Sequence, residues 1–390
     1  MLHLLPQARR ARTWAMIALA VMVLLFNAGF PSTPAEAADS VKALNIEGVG
    51  DLPFILDDEG NLWATAVSSR AYRMNQQLYR SRMVKAEHMK GVVSLSGQYA
   101  VKDDGSVWIT RYDEPSEQDK DKWGLSMPKF VKQVPHLKNI VSVTGVLALD
   151  RDGKLWAFDT FPRIIQEGND FVAYPPLHEE PFPVEGVGRI KDMYGSTILK
   201  EDGTVWAWGC TVGCHNLPEI IGTTAPTQIR GLEDIVKIGY DIALKKDGTV
   251  WVWGYNYLAK PKSEKYPKNV TPFPLEGLTD IIDISYSNSA SLGGHMLALK
   301  KDGTVWSMGY FPNTRTGISY PSNYMPLHQI EGLTDVLAVF SGKNTNAVIK
   351  KDGSLWMWGT DRSGLFGERY GDAWALHDQP VRVELTQDAD

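Results

Sequence analysis

The residues best suited to chemistry are few and widely spaced in this chain of 390 residues. Cys210 and Cys214 are the two cysteines, and His215 follows them directly. A haem attachment site has two residues between its cysteines rather than three, and a zinc site needs a second pair of ligands nearby. In an exported chain this pair favours a local disulfide, and a pair of free thiols is the alternative.

The histidines and carboxylates show no spacing that is typical of a catalytic or metal site. Asp150–Gly153 has the sequence DRDG, which resembles the start of a calcium loop, but the later ligands are missing and a turn is the better interpretation. The chain has no H-E-x-x-H, no G-x-S-x-G and no nucleotide-binding glycine motif. We therefore predict no enzyme, no metal and no cofactor. The alternative is a lyase, hydrolase or sugar-binding lectin whose site is assembled at the centre of the fold.

An internal repeat indicates the elements that must position any site. LKKDGTVW occurs twice without a change, and five related copies complete the series. The glycines of successive copies are 45 to 55 residues apart, a period typical of propellers and helical arrays. The copies lie at 56–63, 101–108, 149–156, 199–206, 244–251, 299–306 and 349–356.

Each copy has the pattern of a β-hairpin. Asp-Gly between two short apolar runs predicts a two-residue type I′ turn, in which both residues have positive φ. Val250 and Val252 would face one side of the second strand, and Trp251 and Trp253 the other, so the sheet must be covered on both faces. A Pro-led segment such as Pro226–Gly239 adds two strands and shows no helical period. The sequence therefore predicts an all-β, seven-bladed β-propeller with four antiparallel strands per blade.

A tryptophan stands three residues after the glycine of every copy. Because so large a ring contributes much to core packing, we interpret these residues as wedges between blades rather than as ligand contacts. The set is Trp63, Trp108, Trp156, Trp206, Trp251, Trp306 and Trp356. The chain ends with one more strand-like segment, and we predict that Val381–Leu385 pairs into the first blade and closes the ring.

Residues 1–37 are typical of a secretory signal that is cleaved. An arginine-rich start precedes the apolar run Ala15–Phe26, which is short for a membrane span, and Ala35-Glu36-Ala37 offers a small-residue cleavage site. An uncleaved anchor is the alternative. We predict a secreted or envelope-associated monomer whose single domain covers residues 38–390, with no stable membrane span after cleavage.

The charge of the mature chain excludes some classes of partner. Removing three Arg and one Glu with the signal, from totals of 40 basic and 46 acidic residues, leaves a net charge of −8. No basic stripe is present, so we expect neither nucleic acid nor an anionic membrane surface as the partner.

The hairpin half of the repeat resembles the regulator-of-chromosome-condensation family, whose blades carry a DG-x-[VL]-[WY]-x-WG hairpin and a glycine-rich loop. The likeness is carried by DGTVWAWG at 202–209, DGTVWVWG at 247–254 and DGSLWMWG at 352–359, and residues 358–368 keep the outline of the loop. The resemblance implies a seven-bladed propeller. Eukaryotic members exchange guanine nucleotides on a small nuclear GTPase and bind nucleosomes, but export and negative charge lead us to expect neither activity. Secreted bacterial members, including a β-lactamase inhibitor protein, act by protein–protein contact, and the predicted setting is closer to theirs.

Long connections between hairpins hold many of the remaining aromatic residues, and we place these connections between one blade and the next. They lie at 159–183, 255–274, 310–326 and 360–380. Tyrosine supplies large contact area at low entropic cost, and connections of this length are uncommon unless they are functional or disordered. We predict that they form one face that binds a protein or cell-wall partner; the alternative is that their aromatics only pin the connections to the propeller. The candidates are Tyr174, Tyr255, Tyr257, Tyr266, Tyr310, Phe311, Tyr320, Tyr324, Tyr370 and Trp374.

Overall fold

The computed structural model describes most of the chain after residue 42, and Val41–Asp390 cluster as one compact unit. The predicted signal segment, Cys210 and Cys214 lie outside the described residues. The described residues are 43–49, 52–68, 78–79, 82–86, 89–112, 125–126, 128–158, 163–167, 170–174, 180–208, 225–254, 258, 269–289, 293–310, 324–342, 345–361, 369–370 and 375–386.

Seven sheets, each with four antiparallel strands, form the blades of an all-β propeller and confirm the predicted fold class. The inner strands are Ala43–Val49, Val92–Ser96, Ile140–Thr144, Ile190–Tyr194, Ile235–Gly239, Ile281–Ser289 and Val336–Ser341. The second strands are Leu52–Asp57, Tyr99–Lys102, Leu147–Asp150, Thr197–Lys200, Ile242–Lys245, Gly293–Lys300 and Thr345–Lys350. The third strands are Leu62–Ser68, Val107–Tyr112, Leu155–Ala157, Val205–Ala207, Val250–Gly254, Val305–Tyr310 and Leu355–Asp361. The outer strands are Arg82–Lys85, Pro128–Gln133, Phe182–Pro183, Thr227–Gln228, Asn269–Pro274, Tyr324–Gln329 and Ala375–Val383.

Six short strands lie outside these four-strand sets: Leu78–Tyr79, Leu125–Ser126, Arg163–Glu167, Asp170–Tyr174, Arg369–Tyr370 and Leu385–Thr386. The described part of the chain contains no α-helix, and it therefore holds no helix that could cross a membrane.

The four strands of each blade follow one another along the chain, from the inner strand beside the axis to the outer strand. The Pro-led segment is thus the outer strand of the blade whose hairpin precedes it, as Thr227–Gln228 shows by pairing with Val205–Ala207. Our placement of the long connections between blades is therefore wrong. They lie between the third and outer strands of one blade, whereas short links such as 275–280 join successive blades. A sequence period does not say where a structural unit begins.

The C-terminal segment reaches blade 1 and closes the ring, but the prediction that Val381–Leu385 as a whole pairs there is wrong. Val381–Val383 pairs with Leu355–Met357 and completes blade 7. Only Leu385–Thr386 reaches blade 1, where it pairs in parallel with Met83–Val84. Blade 1 has its own outer strand, so the tail adds a fifth strand to its edge. A buried apolar cluster with side chains from both blades fills the same seam.

The Asp-Gly turns are not the predicted two-residue type I′ turns. Gly248 N donates to Lys245 O at 2.9 Å, and Lys245 N donates to Thr249 O at 2.9 Å, which closes a three-residue loop. Gly248 has φ +82°, whereas Asp247 is not among the residues with positive φ. The turn is therefore of type I followed by a left-handed glycine, so only the glycine needs positive φ.

The glycine in five of the seven turns also lies against the backbone of the next blade. Ile281 N donates to Gly248 O at 3.1 Å, whereas Lys246 N donates at 2.9 Å to Asp234 O at the start of its own blade. A Cβ atom on Gly248 would lie 3.1 Å from the Asp280 Cα atom. Similar close approaches to the following blade occur at Gly105, Gly153, Gly203 and Gly303. The repeated phrase therefore both turns the chain and joins successive blades.

Apolar side chains on both sides of the blades fill the spaces between them. Val250 and Val252 belong to the cluster between blades 5 and 6, whereas Trp251 and Trp253 belong to the cluster between blades 4 and 5. This confirms that the third strand is covered on both sides, as its sequence predicts.

The alternating strand directions give the propeller two different faces. The connections after the inner and third strands emerge on one side, which we call the loop face. The repeated Asp-Gly turns and the short links between blades emerge on the other side, which we call the hairpin face. All the long connections therefore begin and end on the loop face.

Candidate functional site

The loop face is the candidate site, and the structure describes four of the ten predicted binding residues. Tyr174, Tyr310, Tyr324 and Tyr370 lie in described strands. The other six lie outside the described residues: Tyr255, Tyr257, Tyr266, Phe311, Tyr320 and Trp374.

Tyr310 and Tyr324 form a cross-strand pair at the base of the long connection of blade 6. The hydroxyl of Tyr324, which is partly buried, donates a hydrogen bond of 2.9 Å to the carbonyl oxygen of Leu258. Leu258 belongs to the long connection of blade 5, and its side chain is fully buried in the cluster between blades 5 and 6. Tyr324 therefore pins one connection to the next blade, the alternative role that the sequence left open.

The long connection of blade 3 contains a β-hairpin of its own. Arg163–Glu167 and Asp170–Tyr174 pair in antiparallel fashion, and Arg163 is opposite Tyr174. Within the described part of the chain this two-stranded sheet pairs with no other strand. Its outer edges therefore present backbone donors and acceptors that another chain could pair with. The structure thus places Tyr174 in a hairpin rather than in an irregular loop.

Backbone pairing joins the long connections of blades 7, 1 and 2 into one layer. Arg369–Tyr370 from blade 7 pairs with Leu78–Tyr79 from blade 1. Val67–Ser68, at the end of the third strand of blade 1, pairs with Leu125–Ser126 from blade 2. The layer includes Tyr370. Each ladder is only two residues long and joins segments far apart in sequence, so local patterns gave no signal for it.

The propeller channel holds a second group of functional interest, which the sequence reasoning missed. Asp192, Lys237 and Asp283 are the third residues of the inner strands of blades 4, 5 and 6. Lys237 Nζ forms an ion pair with Asp283 Oδ1. Asp192 accepts a hydrogen bond of 2.8 Å from Met193 N. Burial raises the pKa of Asp192, although this bond and the nearby Lys237 charge act in the opposite direction. Aligning the inner strands by their repeat period would have found these residues.

Other polar side chains near the axis tie neighbouring inner strands together. Gly195 N donates to Thr144 Oγ1 at 3.1 Å, and Ser341 N donates to Ser285 Oγ at 2.8 Å. Tyr194 is the last residue of the inner strand of blade 4 and is 43% exposed. Desolvation nevertheless raises the pKa of its hydroxyl, because burial disfavours the charged phenolate.

The seven structural tryptophans have their indole N–H groups bound within their own hairpins. In five blades the donor reaches a Ser or Thr hydroxyl, as at Trp251, whose Nε1 is 3.0 Å from Thr249 Oγ1. That hydroxyl in turn donates to Asp247 Oδ1 at 2.6 Å. In blades 1 and 3 no hydroxyl follows the glycine, and an aspartate at the start of the turn accepts from Trp63 or Trp156 instead. Trp63 is 1% exposed, whereas the other six are partly buried.

A buried polar cluster between blades 6 and 7 was also missed. His295 Nε2 lies 2.9 Å from Asn346 Oδ1, and Ser341 Oγ donates to the same oxygen at 3.3 Å. All three residues are buried. They lie toward the loop face: His295 and Asn346 are near the start of second strands, and Ser341 ends the inner strand of blade 7. A lone histidine among apolar residues gives no sequence signal of such a partner.

The described residues contain no group of three His, Cys, Asp or Glu side chains that could hold a metal ion. The DRDG segment forms a turn, as we interpreted it. Asp150 Oδ1 accepts from the backbone N–H groups of Asp152 and Lys154, each at 2.9 Å, and Oδ2 accepts from the Trp156 indole. Both oxygens of its carboxylate are therefore engaged within the hairpin.

Comparison with known proteins supports the predicted repeat family. No family model matches the chain. The RCC1 domain-containing protein RUG3, mitochondrial, of Arabidopsis thaliana is 34% identical over 98 residues, which are 25% of this chain. The matched residues are 21% of the length of that curated relative, so the chain spans about a fifth of it. This match and the fold together confirm the resemblance to the regulator-of-chromosome-condensation (RCC1) repeat family; its secreted bacterial branch stays a prediction.

Solved structures show the same fold. Yeast RCC1 (Prp20), in a crystal structure with Kap60, aligns with a TM-score of 0.56 and 15% identity over 92% of this chain and 90% of the other. Prp20p of Saccharomyces cerevisiae, described with its binding to Gsp1p and histones, aligns at 0.54 and 15% identity over 88% of each chain. Human WBSCR16 aligns at 0.50 and 16% identity over 78% of this chain and 84% of the other. At such identities the likeness establishes the fold alone.

Proposed function

We propose that the protein is an exported, non-catalytic binding propeller that engages a protein partner through its loop face. The observation that carries this proposal is the layer of backbone ladders that joins the connections of blades 7, 1 and 2. Long connections held in fixed positions on a rigid scaffold are where binding surfaces commonly lie. The edges of the separate hairpin in blade 3 add a backbone surface of the kind that other chains pair with.

The structural neighbours support a protein as the partner. The yeast protein Prp20 is described in complex with Kap60 and as a binder of Gsp1p and histones. Binding to a small GTPase would make nucleotide exchange the second candidate function. Both functions require a protein partner. Measuring whether the protein accelerates the release of nucleotide from that partner distinguishes exchange from binding alone.

The test compares the wild-type chain with a loop-face variant and a hairpin-face control. The loop-face variant replaces Arg163–Tyr174 by a short Gly-Ser linker and carries Tyr370→Ala. The control carries Lys246→Ala and Lys301→Ala, two exposed positions on the hairpin face. Each protein is incubated with culture supernatant and envelope extract of the source cells, cross-linked, and analysed by mass spectrometry.

We expect wild type and control to retain the same partner, cross-linked to loop-face residues, and the loop-face variant to lose it. Identical partners for all three proteins would overturn the proposal. Equal thermal midpoints of the three proteins would show that folding is not the cause of any loss. Accelerated nucleotide release from a captured GTPase would favour the second candidate.

Export is part of the proposal and has its own test. The arginine-rich start, the apolar run and the Ala35-Glu36-Ala37 site support cleavage before Ala38. Mass spectrometry of the mature protein should find Ala38 as its first residue. It should also show a mass two hydrogens lower than that of the reduced chain, as expected for a disulfide between Cys210 and Cys214. An intact N-terminus in the cell fraction would support the anchor alternative.

The channel supplies the observation behind the other alternative, a propeller enzyme or a lectin. Asp192 is a carboxyl group whose pKa is raised by burial, as in many acid catalysts. A glycan array and an activity screen on polysaccharides, with Asp192→Asn as the control, test this function. A signal that the variant abolishes would support it, and silence in both assays would remove it.

A further inference from the structure

A β-bulge recurs at the same place in every inner strand. The pairing register between the inner and second strands shifts immediately after the first inner-strand residue, so one residue is left out of the ladder. A bulge directs such a residue away from the sheet. The residues at this position in blades 1 to 7 are Leu44, Val93, Val141, Lys191, Val236, Ile282 and Leu337.

Five of these bulged residues are exposed aliphatic side chains, which we call the collar. Ile282 is 54% exposed, and the others are between 37% and 42% exposed. The collar consists of Val93, Val141, Val236, Ile282 and Leu337. Single exposed aliphatics are ordinary, but five at one equivalent position around an axis form a shared apolar surface.

The collar lies at the mouth of the channel on the hairpin face. In blades 3 to 7 the residue before the bulge is tied to the turn of the preceding blade, as when Ile281 N donates to Gly248 O at 3.1 Å. The bulged residue follows directly, so it is the first inner-strand side chain beyond the turns. Inner strands of neighbouring blades contact each other around the axis, except that the inner strand of blade 4 contacts the second strand of blade 3.

The collar is shallow because a polar layer lies directly inside it. The next residues along the inner strands include Ser94, Ser142, Asp192, Lys237 and Asp283. These side chains would oppose an aliphatic tail that continued into the channel, because their polar groups would lose water without gaining a partner. The mouth therefore fits one or two apolar side chains better than a long acyl chain.

Lys191 gives the mouth its charge. It occupies the collar position in blade 4, where every other described blade from 2 to 7 has an aliphatic residue, and it is exposed. The neighbouring Asp192 accepts from Met193 N and lies near both Lys237 of blade 5 and Lys191. Lys191 forms no salt bridge with a described residue, so its ammonium group can still pair with an anion at the rim.

We propose that the channel mouth on the hairpin face binds a peptide segment of a protein partner that presents an aliphatic side chain next to a carboxylate. The aliphatic side chain lies against the collar, and the carboxylate pairs with Lys191. Apolar anchors in a pocket with a charge at the rim are the usual basis of such recognition. This site is separate from the loop face, so either site can fail its test without the other.

Methyl NMR tests the proposal directly, because all five collar residues carry methyl groups. The full mature chain, labelled at Ile, Leu and Val methyls, is titrated with N-acetyl-Leu-Glu-amide. N-acetyl-Leu-Lys-amide and hexanoate serve as comparison probes. We expect saturable shifts at the collar methyls with the Leu-Glu probe, and dissociation constants at least about fivefold weaker for the other two, the factor that a partly exposed ion pair contributes.

Two variants and a control sharpen the result. Lys191→Glu should reverse the preference between the Leu-Glu and Leu-Lys probes, and Ile282→Thr should weaken both. Val131→Thr, at an aliphatic residue that is 49% exposed on the outer strand of blade 2, should change neither. Shifts outside the collar, equal or tighter binding of hexanoate, or an unchanged preference in Lys191→Glu would each overturn the proposal.

Discussion

The hairpin face and the loop face are built from the same seven blades, yet they differ in how contacts repeat. On the hairpin face the glycine turns and the links to the next blade make nearly the same hydrogen bonds from blade 2 to blade 7. On the loop face each described connection is different: a separate hairpin in blade 3, cross-blade ladders in blades 7, 1 and 2, and a tyrosine contact in blade 6.

The difference teaches where stability and recognition lie in this molecule. A contact that recurs at one position in successive blades is part of the ring itself, and its loss should lower the free energy of unfolding. A contact that occurs once on the loop face is not part of the repeated ring, and its loss should change local order or binding. The substitutions below test this distinction, beginning with the largest expected effect.

Gly105→Ala should destabilise the protein far more than Gly60→Ala. Both glycines have nearly the same backbone, with φ +78° and +76°. A Cβ on Gly105 would lie 2.7 Å from the Cα atom of Asn139 in the next blade, whereas at Gly60 it meets no described atom within 4 Å. We expect losses of about 3 kcal/mol for Gly105→Ala and about 1 kcal/mol for Gly60→Ala, since both carry backbone strain but only one meets a neighbour.

Urea unfolding followed by tryptophan fluorescence measures both free energies. Gly60→Ala serves as the matched control for strain without a close neighbour. Equal losses would mean that the approach of the next blade contributes nothing, and that the hairpin face is a set of independent turns.

Thr249→Val should lower the free energy of unfolding by about 1 kcal/mol. The substitution keeps the shape of the side chain but leaves the partly buried Trp251 indole without its acceptor at 3.0 Å. It also removes the hydroxyl that donates to Asp247. Thr227→Val, at an exposed position on an outer strand, should have no measurable effect. Similar losses from both variants in urea unfolding would show that the indole contact does not stabilise the hairpin.

The repeated part of the fold could be predicted from the sequence because its cause is local. Asp-Gly between apolar runs, replaced by Glu59-Gly60 in blade 1, marks every hairpin. The alternation of Val250, Trp251, Val252 and Trp253 determines which blade each side chain faces. The turn type was missed because a three-residue loop and a two-residue loop use the same Asp-Gly pair.

The candidate site could be predicted less well because its contacts are not local. The sequence indicated long aromatic connections, but not that Tyr370 joins a ladder with blade 1. The channel group of Asp192, Lys237 and Asp283 arises only when three blades are placed side by side, and the charges are separated by nearly fifty residues along the chain. Aligning the inner strands by their period identifies these residues, but only the closed ring shows that their charges are neighbours.

Tyr324→Phe should have a local effect on the loop face and a small effect on stability. It removes the hydrogen bond of 2.9 Å to Leu258 O but keeps the ring. We expect a loss of about 0.5 kcal/mol and faster amide hydrogen exchange around Leu258, with unchanged exchange in the blade 5 hairpin. Tyr194→Phe is the control, since the Tyr194 hydroxyl makes no hydrogen bond to a described residue. Faster exchange throughout blades 5 and 6 would show that this contact supports the ring after all.

The smallest effect on the free energy of unfolding should come from lowering the pH. The sign of this pH dependence distinguishes the aspartates of the turns from Asp192 in the channel. The Thr249 hydroxyl, followed by the Thr249 backbone N–H, holds the pKa of Asp247 below its ordinary value in the folded state. The stabilisation is complete above the unfolded-state pKa of about 3.9 and is lost as the pH falls through the lower folded-state pKa. Asp247→Asn should therefore reduce the acid sensitivity of unfolding, by about 0.3 kcal/mol because the group is open to solvent.

Asp192 should respond in the opposite direction. Burial raises the pKa of Asp192 in the folded state, so its ionisation opposes folding as the pH rises through that value. Asp192→Asn should then be more stable than wild type at pH 7, and the advantage should disappear in acid. Thermal midpoints recorded from pH 7 to pH 3 compare the two variants. If the difference between variant and wild-type midpoints changes with pH in the same direction for both variants, the prediction is wrong. The ionised form of Asp192 would then be stabilised by its neighbours, as in the turns, and the channel would be as well solvated as the hairpin face.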